Sequence, residues 1–452
     1  MNDRNASRLV AATWTGPLPA PESIPASADV VIIGGGIVGV STAWELARQG
    51  IRVVLCEKGY IAGEQSSRNW GWVRVQGRDP REIPMMLESM NIWRGLAAEI
   101  GEDVGYFEGG CLYTARDPKR LAAYETWMET ARQHELATRM ISKSELTDLV
   151  GVAGSQWLGA MYTPTDGCAE PHKAGPAIAR AAARAGATIL AACAVRGIET
   201  SGGRVTAAVT EHGAIRCSTV LCAAGAWTSM FCRSLGITLP QLKVLGTVAR
   251  TAPAKSRLKA NLFDKKVGIR PRRDGGYTVA HGSVLDHGIT PSSFRFMLRF
   301  LPGLKKELGV LRLRFGRDFF DELGMPVRWA LDEVSPFETR RVLNPAPSPV
   351  VLKGIRSNLA GTFPELAGVE IVEAWAGMVE TVPDVVPVIC PAEELPGFYI
   401  ASGFSGHGFG LGPGAGKAIA GMLTGKDSGI DLSPFRLSRF FDGSPLVIQT
   451  SI

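Results

Sequence analysis

The sequence predicts an α/β chain in which a unit built from βαβ elements is interleaved with a strand-rich second unit. Three observations predict it. A glycine-rich turn joins a buried apolar run to a helical run near residue 34, a second apolar run ends in small residues near 224, and a glycine-rich stretch precedes a helical run near 414. Strand-rich sequence fills the two gaps between these places, which interleaving explains better than two units in series. At 452 residues the chain exceeds what one core ordinarily holds, and a 45% hydrophobic content is ample for two.

The elements follow in order. Residues 1–27 contain several prolines and no apolar core of a secretory signal, so an N-terminal arm is expected. From Val30 the chain runs apolar into Gly34, Gly36 and Gly39, spaced G-x-G-x-x-G, and then into a helical run. A second apolar run over 51–56 delivers Glu57, eighteen residues after Gly39. Strand, tight turn, helix, strand and acid stand in the order of a dinucleotide site. Gly34 permits the turn, Gly36 lets the backbone approach a pyrophosphate, and Gly39 lets the helix pack on the strand. Ile37 and Val38 open the helix, whose N-terminal N–H groups face the phosphates. Glu57 is placed for ribose hydroxyls.

Helical spacing follows over 84–100, a strand over 107–114, helices over 119–135 and 143–149, and a turn-rich link over 163–171. An alanine-rich helix is expected over 176–185, with strands over 188–194, 205–210 and 215–223. Ala224, Gly225 and Trp227 lie just after the last of these, where small residues allow a close approach. Residues 241–251 and 267–284 have strand and hairpin character, with Tyr277, Val279 and His281 on one side. Residues 292–309 read as an apolar and basic helix broken at Pro302-Gly303. Strands over 369–376 and 398–401 and a helix over 414–423 complete the chain.

Formal net charge is +6, from 49 Lys and Arg against 43 Asp and Glu, with no basic block, which speaks against nucleic acid as a partner. Eight cysteines show no C-x-x-C pair and no ligand spacing with histidine, so no metal site is expected. They read as reduced thiols of a cytoplasmic protein. No stretch of about 18 apolar residues occurs, so the chain is expected to be soluble or peripheral on the inner face of a membrane.

Taken together, these pieces resemble the D-amino-acid oxidase, glycine oxidase and sarcosine oxidase superfamily. The resemblance rests on Gly34–Gly39, Glu57-Lys58, the turn 66–72, Ala223–Trp227, Arg270-Pro271, Trp375-Ala376-Gly377 with Pro383-Asp384, and the stretch 403–408. It implies a Rossmann-like FAD-binding domain in three parts (28–105, 165–235, 369–452). These would be interleaved with a mixed-sheet substrate domain in two (106–164 and 236–368, the latter with a helical insertion at about 290–340). It implies FAD in extended form, with Lys58 by the adenosine half and Ser66, Ser67 and Arg68 along the pyrophosphate and ribityl. Asn69, Trp70 and Gly71 would lie near the isoalloxazine, with Gly403, Ser405, Gly406, His407 and Gly408 at its pyrimidine edge. Ordinary caps at Ser66 and Ser67 and a structural histidine at 407 are the competing readings.

The implied chemistry is hydride transfer from the carbon beside an amine to the flavin, leaving an imine that water hydrolyses. The expected substrate is a D-amino acid or a secondary amino acid. Oxygen, a membrane quinone or another carrier would accept the electrons. Some relatives tether FAD through a cysteine just before the Pro-Asp segment; Gly377-Met378-Val379-Glu380 offers none, so FAD is expected to be non-covalent. Val379 stands where glycine oxidases carry an arginine for the substrate carboxylate. Arg74 and Arg270 are the candidate replacements, with structural roles as the alternative, and Tyr277 and His281 are candidates on the same hairpin as Arg270. Val379 also keeps open an amine, polyamine or N-methyl amine as substrate. A flavin-binding subunit without catalysis is the non-enzyme alternative, and an NAD-binding protein disagrees with the second glycine cluster. The segment 292–315 is a candidate peripheral membrane contact.

Overall fold

A computed structural model describes residues 23–151, 156–307 and 311–448; of the expected arm only 23–27 fall among them. β1 (Val30–Ile33), α1 (Ile37–Ala47) and β2 (Val53–Cys56) form the first βαβ unit. β1 pairs in parallel with β2 on one side and with Thr219–Cys222 on the other. Thr188–Leu190 and Phe398–Ser402 extend the parallel sheet outward, and Val388–Pro391 closes one edge antiparallel. The six strands thus come from three stretches of chain, 30–56, 188–222 and 388–402.

Alternation along β1 explains why its run is apolar throughout. Val30 and Ile32 enter one core with α1, whereas Val31 and Ile33 enter another with Val205, Ala208 and Ile215 of a small antiparallel sheet. A strand covered on both faces has no solvent side to mark with polar residues.

The second large sheet has ten strands and mixed pairing. Within it β3 (Leu242–Thr251) and β4 (Ile371–Thr381) run antiparallel, in register from Leu242↔Thr381 to Arg250↔Glu373, with a bulge before Thr251↔Ile371. The expected third part of the nucleotide-binding unit begins at 369, but β4 belongs to this sheet. The chain returns to the six-stranded sheet only at Val388. Helix Pro349–Thr362, not anticipated from the sequence, lays Val351, Ile355 and Leu359 against Ile269, Tyr277 and Val279.

Two helices depart from expectation for physical reasons. α2 (Gly408–Thr424) starts six residues earlier than predicted and includes the glycine-rich run. Those glycines are contact points. A Cβ on Gly412 would lie 2.6 Å from Ile37 Cγ1, on Gly414 2.4 Å from the Met85 carbonyl, and on Gly416 2.6 Å from Ser41 Cβ. The expected 292–309 helix is two helices, Pro291–Arg295 and Met297–Glu307. The break falls at Phe296, which is buried, while Pro302 lies inside the second helix. Among the described residues no helix is long and apolar enough to cross a membrane.

Candidate active site

A cavity of about 410 Å³ runs between the six-stranded sheet and the β3–β4 face of the large sheet. One end is built by the first βαβ unit. Gly34 has φ +108° and an added Cβ would lie 2.5 Å from the Ala223 carbonyl. A Cβ on Gly39 would lie 2.0 Å from the Gly34 carbonyl, so only glycine lets α1 sit against the turn. Gly36 is the N-cap of α1 and lines the cavity with Ile37 and Val38. Ser66 Oγ accepts from the Ile37 N–H at 2.8 Å. Glu57 accepts from the Gly35 and Gly59 N–H groups, both at 2.7 Å, and burial pushes its carboxyl above the usual range.

Lys58 donates to Glu64 at 2.8 Å and stands 4.4 Å from the Trp227 ring centre; Trp227 Nε1 donates to the same carboxylate at 3.0 Å. Ala224 and Gly225 complete this wall. Arg68 is buried and spent on structure, donating to Asn344 Oδ1 and to the carbonyls of Ala376 and Gly63. Asn69 closes its turn by accepting from the Gly71 N–H at 2.7 Å. Trp70 lines the cavity and leaves no room for a Cβ on Gly268, which would lie 2.6 Å from the indole. Gly377, Ser405, Gly406, His407 and Gly408 line the opposite side. Ser67, Gly39, Gly71 and Gly403 lie behind the lining. Ser67 donates to the Glu64 carbonyl, and a Cβ on Gly403 would lie 2.5 Å from Val382.

These features fit an extended dinucleotide. The turn around Gly34–Gly36 is packed too tightly for side chains, so backbone lines the cavity there, and the start of α2 carries no side-chain cap where it meets the cavity.

The other end is polar on one wall and apolar on the other. Arg74 lines the cavity with its guanidinium 5.3 Å from the Tyr113 ring centre and donates through Nη1 to the Gln76 carbonyl. Arg78, unnoticed in the sequence, also lines it; it is buried and donates to the Arg74 carbonyl at 2.8 Å and to Glu82 at 3.2 Å. His407 Nδ1 stands 3.0 Å from Glu82 Oε2. Asp166 accepts from the Val75 and Gln76 N–H groups, and burial pushes its carboxyl up to about 7. Gly246, Val248, Leu285 and Val379 from the large sheet, with Phe263, form the apolar side. Glu380 lines the cavity too, accepts from Gln65 Nε2, and is pushed up to about 7 by burial.

The remaining sequence candidates lie elsewhere. Arg270 is buried beneath the Gly71 turn, donating to Glu170 at 3.0 and 3.1 Å and to Thr278 at 3.1 Å. Tyr277 enters the core under helix Pro349–Thr362, and His281 meets Asn358 of the same helix at 3.2 Å. Strand alternation is the reason: the helix covers the Tyr277–Val279–His281 side of the hairpin, so that side does not reach the cavity. Arg78 and Glu82 had a faint signal, a polar run placed four and eight residues after Arg74. Glu380 had none beyond its neighbour Val379.

The profile of the FAD dependent oxidoreductase family (DAO) matches residues 29–422, and the chain belongs to that family. Mitochondrial sarcosine dehydrogenase of Mus musculus is 25% identical over 427 residues, which is 93% of this chain but 42% of that protein. The chain therefore spans well under half of that relative. L-amino acid deaminase from Proteus myxofaciens, in complex with anthranilate, superposes with a TM-score of 0.89 at 34% identity, covering 93% of this chain and 95% of that one. L-amino acid deaminase from Proteus vulgaris gives 0.89 at 29% identity, covering 94% and 100%. A form of it with its specific insertion sequence deleted gives 0.76 at 25% identity, covering 94% and 98%.

Proposed function

We propose that this FAD-dependent oxidoreductase oxidises the C–N bond of an α-amino acid. The observation that carries the reading is one cavity joining a dinucleotide cradle at Gly34–Glu57 to the cationic end at Arg74. Arg74 and Arg78 outnumber Glu82, and Asp166, its carboxyl pushed up to about 7 by burial, offsets that surplus only in part, so the end suits a substrate carboxylate. Arg74 is the better donor, because Arg78 is already engaged by Glu82 and the Arg74 carbonyl. The apolar wall of Val379, Leu285 and Phe263 takes the side chain.

In this reading Gly34, Gly36, Ile37 and Val38 hold the pyrophosphate, with Gly39 letting α1 pack behind them, and Glu57 the ribose, with Lys58 and Trp227 at the adenosine side. Ser66, Asn69, Trp70, Gly377, Ser405, Gly406 and Gly408 hold the flavin half non-covalently, with Gly403 supporting the turn behind them and His407 reaching on toward the polar end. Bound FAD supplies the hydride acceptor. The protein's own groups fix the carboxylate, exclude water with aromatic side chains, and orient the C–H bond.

The likeness to L-amino acid deaminases, weaker against the form lacking its insertion, supports an L-α-amino acid. D-amino acids, N-methyl amino acids and polyamines are the other arms of the test. Product analysis after incubation with each arm decides the class. A keto acid with ammonia from an L-amino acid is expected; turnover confined to carboxylate-free amines would overturn the reading and favour Glu380 as an ammonium partner.

The insertion supports a peripheral membrane contact and a membrane-held electron acceptor. It exposes Phe294 (61%), Leu298 (78%), Phe315 (64%) and Phe320 (61%) beside Arg314 and Arg317. Apolar side chains ringed by arginine suit an anionic lipid surface. Co-sedimentation with phosphatidylglycerol vesicles, lost in high salt and in a Phe315→Ser, Phe320→Ser variant, is expected. Equal recovery with neutral vesicles would contradict the electrostatic part.

A further inference from the structure

The far end of the cavity holds a buried pair whose task is not explained by binding alone. His407 precedes α2, lines the cavity, and has Nδ1 3.0 Å from Glu82 Oε2. Glu82 is buried and also receives Arg78 Nη1 at 3.2 Å. Burial would raise its carboxyl, but His407 and Arg78 outweigh that and hold it below the usual range, so it is an anion. Burial, joined by the charges of Arg78 and Arg74 and opposed by Glu82, holds the imidazole below its usual range. A neutral imidazole beside a carboxylate carries its proton on the nitrogen facing that carboxylate. Nδ1 is therefore the donor and Nε2 the free acceptor; among the described residues no hydrogen bond to Nε2 is formed.

An amino acid arrives with its nitrogen protonated, and an ammonium has no lone pair to drive hydride out of the neighbouring C–H bond. At neutral pH a proton acceptor beside the carboxylate site makes the reactive amine available. We propose that His407 Nε2 takes the proton of the substrate ammonium, with Glu82 as the residue that positions it by fixing the tautomer. In this step the ammonium N–H bond breaks, its electron pair stays on nitrogen, and an Nε2–H bond forms. The resulting imidazolium is balanced by Glu82, and no electron leaves the substrate until the later hydride transfer. The inference rests on the amino-acid reading above.

The other titratable groups around the cavity are less suited. Glu57 is committed to the Gly35 and Gly59 amides, and Glu64 to Lys58, Trp227 and the Leu343 N–H. Burial pushes the Tyr113 phenol well up, and Asp166 holds the backbone under Arg74. Glu380 is the real competitor, since among the described residues only Gln65 donates to it from another side chain.

Rapid anaerobic mixing of the holoenzyme with its amino acid, followed by flavin bleaching across pH, tests the proposal. Wild type should lose rate through a single-proton acid limb. His407→Asn should lack that limb, be slower by about 100-fold at neutral pH, and recover as pH passes the amine pKa of the free substrate. Glu82→Gln should displace the limb. A His407→Asn protein that retains FAD and keeps the wild-type profile overturns the proposal, as does loss of the limb in Glu380→Gln instead. A second readout needs no variant. Nitrogen NMR of histidine-labelled wild type should show His407 protonated at Nδ1 only, and an Nε2–H tautomer would contradict it. Failure of the amino-acid reading shows separately, as a wild-type flavin that no amino acid bleaches.

Discussion

At the residue scale, the two buried arginine–glutamate pairs do different work. Arg270–Glu170 is sealed under the Gly71 turn, whereas Arg78–Glu82 opens onto the cavity through His407. Sequence placed Arg270 near substrate because it sits in a family-like segment, but one residue cannot show which face of a hairpin is covered. Removing Arg270 takes from the buried Glu170 its two close hydrogen bonds and leaves it the more distant Arg272 at 3.6 Å, so Arg270→Leu should cost up to about 3–5 kcal/mol in a denaturant titration. Burial alone would raise the Glu170 carboxyl, yet Arg270 and Arg272 hold it down to about 2. Its folded pKa is thus depressed. The stability it contributes is present above the unfolded carboxylate value of about 4.3 and is lost as pH falls toward 2. Thermal melts between pH 5 and 2 should therefore fall less steeply in Glu170→Gln than in wild type, from a lower starting point; parallel curves would contradict the pairing. By contrast, the roles read for Gly34 and Gly39 were legible, because a tight turn against a strand leaves no other residue type that fits.

At the element scale, the difference between turn glycines and packing glycines decided what could be read. Helix propensity argues against a helix through Gly408–Gly416, but α2 forms because α1 and helix Ile83–Ile100 come too close for side chains. That information lies in partners hundreds of residues away. Gly414→Ala would push a methyl to within 2.4 Å of the Met85 carbonyl. It should lower stability by about 1–3 kcal/mol and release FAD, measured by melting and by flavin content. Gly95, exposed in helix Ile83–Ile100 with nothing within 4 Å of an added Cβ, is the control. Gly95→Ala should raise stability by up to about 1 kcal/mol. Destabilisation at Gly95 matching that at Gly414 would show that helix α2 is not limited by contact. β4 was assigned to the wrong sheet for a related reason: an alternating run declares a strand without declaring its partner.

At the scale of the whole molecule, the interleaving was legible from the positions of the two glycine-rich places and of the small residues near 224, and the sheets agree with it. What was not legible is where the cavity is polar. Arg74, Arg78 and Glu82 come from the chain after the first βαβ unit, Tyr113 from the large sheet, and His407 from the start of α2. Only folding brings them to one end. The central claim is that this end receives a substrate carboxylate while the Gly34–Glu57 end holds FAD. The rate of anaerobic bleaching of the visible flavin band, followed across amino-acid concentration in wild type and Arg74→Leu, tests it most directly. Complete bleaching of wild type is expected, with the same end point in Arg74→Leu but half-saturation raised about 10- to 100-fold, the loss of a charged hydrogen-bonded contact. A wild-type flavin untouched by every amino acid, or an unchanged half-saturation in Arg74→Leu, would contradict it.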